Sequence, residues 1–205
     1  MNGSGAFRRS QTVVVHLLTS LDFGGVERRM EVLAGEAANA ERRHVFWAIG
    51  GGGAAADALR AMGAEVQCRG LPVGIPSPPA LWALYRGFRR TRPTVVHTHG
   101  AEANFHGQIA ATLAGVPVRI AEEIGIPRHG PKAQIVFRQV FRAAQRVVAV
   151  SRPVADWLSD SGEVPPADIV QICNPVRLPP PRENGPPERD PLRIAFVGRL
   201  EPVKN

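Results

Sequence analysis

Short apolar runs alternate along the chain with longer stretches of helical period. The runs that read as strands are Thr12–Leu18, Val45–Ile49, Glu65–Cys68, Thr94–His97, Val116–Ala121, Val147–Val150 and Ile169–Ile172. They are β-branched and apolar on both faces, as strands of a parallel sheet covered by helices are. Between them lie helix-length segments at residues 24–40, 54–63, 78–93, 101–115, 131–145 and 151–160. In the first, Val26, Met30, Leu33 and Ala37 fall on one face at helical spacing. Repeated βα units predict an α/β fold, a Rossmann-like doubly wound parallel sheet. Gly63 and Gly115 close two helices, and Pro93 stops another before a strand.

The pattern changes at Asn174. The segment "NPVRLPPPRENGPPERDP" is proline-rich and polar, and reads as a linker between domains. Residues 1–175 are thus expected to form one domain and residues 176–191 a linker. At residues 192–205, "LRIAFVGRL" opens a fresh apolar strand followed by a glycine turn. A first strand without its sheet cannot bury its faces, so the chain is expected to be a piece of a longer, two-domain protein.

Composition adds a basic balance: net charge +7 and pI about 10.8, carried almost wholly by arginine, with Lys132 and Lys204 the only lysines. Such a balance suits nucleic acid, an anionic membrane surface or phosphate-bearing substrates, or else arginines spread over a solvated surface. Aromatics are 6% of residues, too sparse for a stacking surface, and no nucleic-acid-binding motif occurs, so nucleic acid is not an expected partner. Cys68 and Cys173 stand far apart with no CxxC partner, which fits a reducing cytoplasm without a disulfide framework. No apolar run approaches the roughly 20 residues of a membrane span. Arg8-Arg9 before "TVVVHLLTSL" imitates a signal peptide, but His16 interrupts the apolar run, which reads better as a buried first strand.

In an open parallel sheet, ligands sit beyond the carboxyl ends of the strands. The residues expected there are Asp22, Gly24 and Gly25; His97, His99, Glu102 and Asn104; Glu122, Glu123 and Arg128; Ser151; and Asn174. Gly24-Gly25 precede a helix whose free N–H groups favour an anion; the alternative is a tight turn only. Gly50–Gly53 lack the dinucleotide-binding spacing and read as a flexible loop. Alternation puts His97 and His99 on one face of their strand and Thr98 on the other. His97, nearer the strand interior, reads as the core histidine and His99 as the one meeting a ligand. No third ligand has convincing spacing, so no metal is expected. Glu122 and Glu123 are adjacent and point to opposite faces, which rules them out as a paired-carboxylate machine. Ser151 reads as the cap of the helix "RPVADWLSD".

The segments "HLLTSLDFGGVERRMEVLA", "RPTVVHTHGAEANFHGQIAATLAGVPVRIAEE", "RVVAVSRPVADWL", "VQICNPVRL" and "AFVGRLEPVKN" occur in an order and spacing that resembles the retaining glycosyltransferases of family 4, with the two-domain GT-B fold. The resemblance implies an acceptor-binding N-terminal domain, a nucleotide-sugar donor held by the C-terminal domain, and transfer in the cleft between them. It implies that Gly24 and Gly25 face the donor diphosphate, that His99 lies by the transferred sugar as the catalytic histidine, and that Arg199 and Lys204 contact the departing diphosphate. Glu102, Asn104, Glu123, Arg128, Ser151 and Asn174 are the acceptor-side candidates. No cofactor or metal is implied, and the acceptor class is a glycan or lipid-linked molecule. The family's paired glutamates, E-x7-E, belong to the second domain. Residues 84–93 and 136–146 combine arginine with Phe88, Phe137 and Phe141, beside Trp82, which suits an anionic membrane surface as well as inward packing of the aromatics. Two other readings stand beside the transferase: a non-catalytic acceptor- or lipid-binding module, and half of a sugar-nucleotide epimerase-like enzyme.

Overall fold

The computed structural model describes residues 12–37 and 42–175. The linker and the strand expected after it, with Arg199 and Lys204, lie outside the described residues. The chain alternates strand and helix throughout: β1 (Thr12–Leu18), α1 (Gly25–Ala37), β2 (Arg42–Ala48), α2 (Ala54–Ala61), β3 (Glu65–Cys68), α3 (Pro78–Thr91), β4 (Val95–His99), α4 (Ala101–Ala114), β5 (Val118–Glu123), α5 (Pro131–Arg142), β6 (Arg146–Ala149), α6 (Arg152–Asp160) and, after a short 3-10 turn, β7 (Ile169–Gln171). All strand pairs among the described residues are parallel, in the order β3-β2-β1-β4-β5-β6-β7. This is the doubly wound arrangement expected, and its strand order reverses between β1 and β4.

Gly115 ends α4 in the left-handed conformation, and Val116–Pro117, expected as strand, lies outside β5. Pro117 has no N–H to give a ladder, so pairing begins at Val118 and continues through both glutamates. β4 likewise runs on to His99, which pairs with Leu18. β2 begins at Arg42, because polar residues at the open end of a strand can pair there without entering the core.

Two apolar layers sandwich the sheet. Val15, Leu17, Val45, Trp47 and Val96 pack under α3 and α4. Leu18, Phe46 and Ala48 pack against Met30 of α1 and Ala56 and Leu59 of α2. A third cluster joins β5 and β6 to α5 and α6 through Phe137, Phe141, Val154 and Leu158. Phe88, Phe137 and Phe141 thus face inward, whereas Trp82 is exposed. Helix α4 is the central brace. A Cβ on its Gly107 would lie 2.4 Å from Thr98 Cγ2 and 2.6 Å from Leu17 Cδ2, so the bare backbone is what lets this helix seat on β1 and β4.

Two local expectations are corrected. The Gly50–Gly53 segment is a fitted loop, not a loose one. Gly50 and Gly53 donate backbone hydrogen bonds to Thr19 and Leu21 (both 2.9 Å), and a Cβ on Gly52 would fall 2.7 Å from Cys68 Sγ. Ser151 does occupy the N-cap position of α6, but its side chain makes no capping bond; its carbonyl accepts the first helical bond, from Ala155.

Candidate functional site

The crevice lies beyond the carboxyl ends of β1, β4 and β5. At its β1 side, Asp22, Phe23, Gly24 and Gly25 lead into α1, beside a surface cavity of about 850 Å³ that Glu27, Arg28 and Ala54 also line. Neither glycine adopts a positive φ. A Cβ on Gly25 would meet nothing within 4 Å among the described residues, and the three atoms nearest to one on Gly24 all belong to the flexible Glu27 carboxylate. The turn itself therefore requires no glycine at 25. The first helical turn, whose N–H groups are short of partners as in any helix, starts at this cavity, which both glycines line.

Across the switch point lies a buried polar cluster on the α1 face of the sheet. Parallel register sets His16 of β1 opposite His97 of β4, and alternation adds His99 on the same face while Thr98 points to α4. His16 Nδ1 lies 3.2 Å from His99 Nε2, and His16 Nε2 lies 2.9 Å from Nδ1 of His44 on β2. From β5, Glu122 Oε2 approaches His97 Nε2 at 3.1 Å and His99 Nδ1 at 3.2 Å. Arg29, one turn into α1, closes the cluster. Its guanidinium forms an ion pair with Glu122, donates to His99 Nδ1 at 2.9 Å, and donates to Asn174 Oδ1, also at 2.9 Å. The contacts of Glu122 with Arg29 and His97 are ion-pair contacts without full hydrogen-bond alignment.

Charge in this cluster follows from burial. His16 is pushed well below the ordinary imidazole range by burial and then by the neighbouring histidines. His99 is pushed down to about 3, again by burial first and His97 next. Both are therefore neutral at physiological pH. Burial alone would raise Glu122, but the close approach of His97 and His99 outweighs it and holds its carboxyl well below the usual range. Arg29 can only donate, so His99 Nδ1 is an acceptor and its proton sits on Nε2. That proton points at His16 Nδ1, and the His16 proton on Nε2 points at His44.

The two histidines of β4 exchange the environments expected of them. The His99 side chain is 1% exposed and that of His97 19%, because Arg29 and His16 cover the end of the strand. The acceptor-side candidates separate. Asn104 is fully buried on the opposite face; it accepts from Thr98 Oγ1 at 2.6 Å and donates to the Glu122 carbonyl and to Glu123 Oε1 at 2.9 and 2.8 Å. Glu123, so enclosed, is raised to about 8 by burial, with the Asn104 bond opposing and Glu163 adding to the rise. Glu102 accepts from Thr19 Oγ1 at 3.3 Å. Arg128 is exposed and Ser151 half-buried, both at the crevice side of the sheet. Asn174 is drawn in by Arg29. His16, His44 and Arg29 escaped the sequence reading. The one available signal was that His16 breaks an apolar strand, where a lone imidazole needs a partner.

Among curated proteins, the chain is 31% identical over 127 residues to a UDP-N-acetylglucosamine–N-acetylmuramyl-(pentapeptide) pyrophosphoryl-undecaprenol N-acetylglucosamine transferase of Hahella chejuensis, covering 58% of this chain and 31% of that protein. A glycosyltransferase from Rickettsia africae superposes with a TM-score of 0.64 at 16% identity, over 80% of this chain and 43% of the other. HepE of Anabaena, solved in complex with UDP-glucose, superposes with a TM-score of 0.62 at 18% identity, over 79% and 43%. The chain thus spans a third to a half of the length of these relatives. The family model for Glycosyltransferase Family 4 matches residues 23–178, well over half of the chain, and the chain belongs to that family of GT-B glycosyltransferases.

Proposed function

We propose that the chain is the acceptor-side half of an enzyme that moves a sugar from a nucleotide-sugar donor to a glycan or lipid-linked acceptor. The observation that carries this reading is the Gly24–Gly25 turn. Gly25 answers no need of the chain's own backbone or packing, so its bareness is read as room for a ligand. The helix start behind it favours an anion, and the donor diphosphate supplies one. In transfer, negative charge grows on the departing nucleoside diphosphate; N–H groups and the helix dipole aimed at that charge stabilise the transition state more than the ground state. Arg199 and Lys204 are proposed to approach the same phosphates from the second domain.

The resemblance puts His99 beside the transferred sugar. The geometry favours dividing that role. His97 offers the more open imidazole, half-buried where that of His99 is sealed, and His99 meets Glu122 and Arg29 behind it. The relatives' names support the donor and acceptor classes: one transfers N-acetylglucosamine to an undecaprenol-linked acceptor, another was solved with UDP-glucose. Transfer with retention is part of the proposal. So are the domain division at residues 175/176 and 191/192 and a cytoplasmic site of action. No described helix is long and apolar enough to cross a membrane. Ile124, Ile126, Ile135 and Val136 are exposed near Arg128 and Lys132, which supports peripheral contact with an anionic membrane where a lipid-linked acceptor would reside.

Hydrogen exchange tests the assignment. UDP, GDP and dTDP are added in turn to the full-length protein, and amides of residues 24–30 are followed. Slowed exchange with at least one of the three is expected. Unchanged exchange in that turn, while a nucleotide sugar is still turned over, would overturn the diphosphate assignment.

A further inference from the structure

We propose that His16, His97 and His99 form a binding site for a borderline divalent transition metal, Zn²⁺ being the natural occupant of three imidazoles. The site shares His97 and His99 with the transferase reading, which itself calls for no metal, and its test reads metal binding rather than turnover. Each of the three histidines offers one ring nitrogen, and these nitrogens lie within 4.8 Å of one another. One pair, His16 Nδ1 and His99 Nε2, is 3.2 Å apart. That is long for a hydrogen bond between ring nitrogens. It matches the edge of a tetrahedron with metal–nitrogen bonds of 2.0–2.1 Å, which is about 3.3–3.4 Å. His97, the most exposed of the three side chains, has the freedom to close the remaining gap.

The surroundings are those a metal-bound histidine requires. A ligating imidazole is fixed by a partner on its other nitrogen, commonly a carboxylate. With Nδ1 of His16 on the metal, its Nε2–H donates to His44 Nδ1 at 2.9 Å. With Nε2 of His99 on the metal, its proton moves to Nδ1, which faces Glu122 Oε2 at 3.2 Å. The same carboxylate oxygen stands 3.1 Å from His97 Nε2, which leaves His97 Nδ1 for the metal. Arg29 then gives up its bond to His99 Nδ1 and keeps its contacts with Glu122 and Asn174. Its charge cancels that of Glu122, so three neutral ligands face the ion. No proton is lost overall; one shifts from Nε2 to Nδ1 of His99. Three protein ligands leave a fourth position open, as in sites that take water or a substrate oxygen.

The test uses the full-length protein without a histidine tag, stripped with a chelator. Co²⁺ is titrated as a spectroscopic stand-in for Zn²⁺. The expected result is one equivalent bound with the visible ligand-field bands of a low-coordinate, imidazole-bound Co²⁺, displaced by Zn²⁺. His16→Gln, His97→Gln and His99→Gln each abolish the bands. His44→Gln, which removes only the partner of His16, weakens binding by about 10–100-fold. His129→Gln, outside the cluster, leaves it unchanged. Absence of the bands and of stoichiometric Zn²⁺ on the wild-type protein at micromolar metal would overturn the proposal, as would binding that survives all three substitutions. Circular dichroism of every variant identifies any that fails to fold. For such a variant, a rise in the wild-type thermal midpoint with Zn²⁺ is the second readout; its absence counts against the site.

Discussion

Replacing Arg29 by methionine probes the polar cluster most sharply. Methionine keeps much of the apolar stem and removes the charge. The Arg29 side chain is 9% exposed and that of Glu122 3%, so the substitution strands a buried carboxylate. Breaking a buried ion pair from one side costs about 3–5 kcal/mol. Glu122 keeps His97 and His99 as neighbours, which places the expected loss at the lower end, about 3 kcal/mol. For a chain of this size that lowers the thermal midpoint by about 6–12 °C. The double variant Arg29→Met with Glu122→Gln carries no stranded charge and is expected to lose only about 1 kcal/mol. Urea unfolding of the wild type, both single variants and the double variant, with chelator present, yields the coupling energy. A coupling of about 2 kcal/mol or more between the two positions is expected. Additive effects within about 0.5 kcal/mol would refute the argument that the two charges depend on each other.

Two further substitutions test other parts of the account. Gly107→Ala puts a methyl group 2.4 Å from Thr98 Cγ2; overpacking of about 1–3 kcal/mol exceeds the roughly 1 kcal/mol that alanine gains in a helix, so unfolding experiments should show net destabilisation and not the usual gain. Glu123, raised to about 8 by burial, holds a proton in the folded state that the unfolded chain releases above its ordinary value near 4.5. Its contribution to stability is therefore full below about pH 4.5 and is lost as pH rises toward 8, at about 1.4 kcal/mol per pH unit. Glu123→Gln keeps the acceptor for Asn104 and should unfold with a flatter pH dependence, becoming the more stable chain near pH 8; parallel profiles for the two proteins would contradict this.

Much of the fold is legible in the chain because the local rules agree. β1 and β3 lie where their apolar runs place them, and Gly63, Gly115 and Pro93 stop helices for reasons that involve only neighbours in sequence. Opposite orientation of Glu122 and Glu123 follows from strand alternation alone. What escapes is whatever depends on register between strands. Nothing local tells that His16 lies across from His97, or that β2 brings His44 to its other side. Arg29 reads as one more surface arginine until α1 is laid over the end of β4. His99 looked open because it ends its strand, but the end of a central strand at the switch point is covered from two sides. Asn104 and Glu102 are two apart in α4, yet one is sealed under the sheet and the other meets Thr19, a difference only the packing of that helix decides.

The claim on which the functional reading rests is that Gly25 is bare for a ligand and not for the fold. Gly25→Val in the full-length enzyme tests it most directly, with the thermal midpoint and nucleotide-sugar turnover measured on the same sample. A Cβ there meets nothing within 4 Å among the described residues, so the midpoint should hold, while displacement of the diphosphate should lower turnover on the order of 100-fold. Turnover retained within about twofold of the wild type, by a variant that folds as well, would contradict the account.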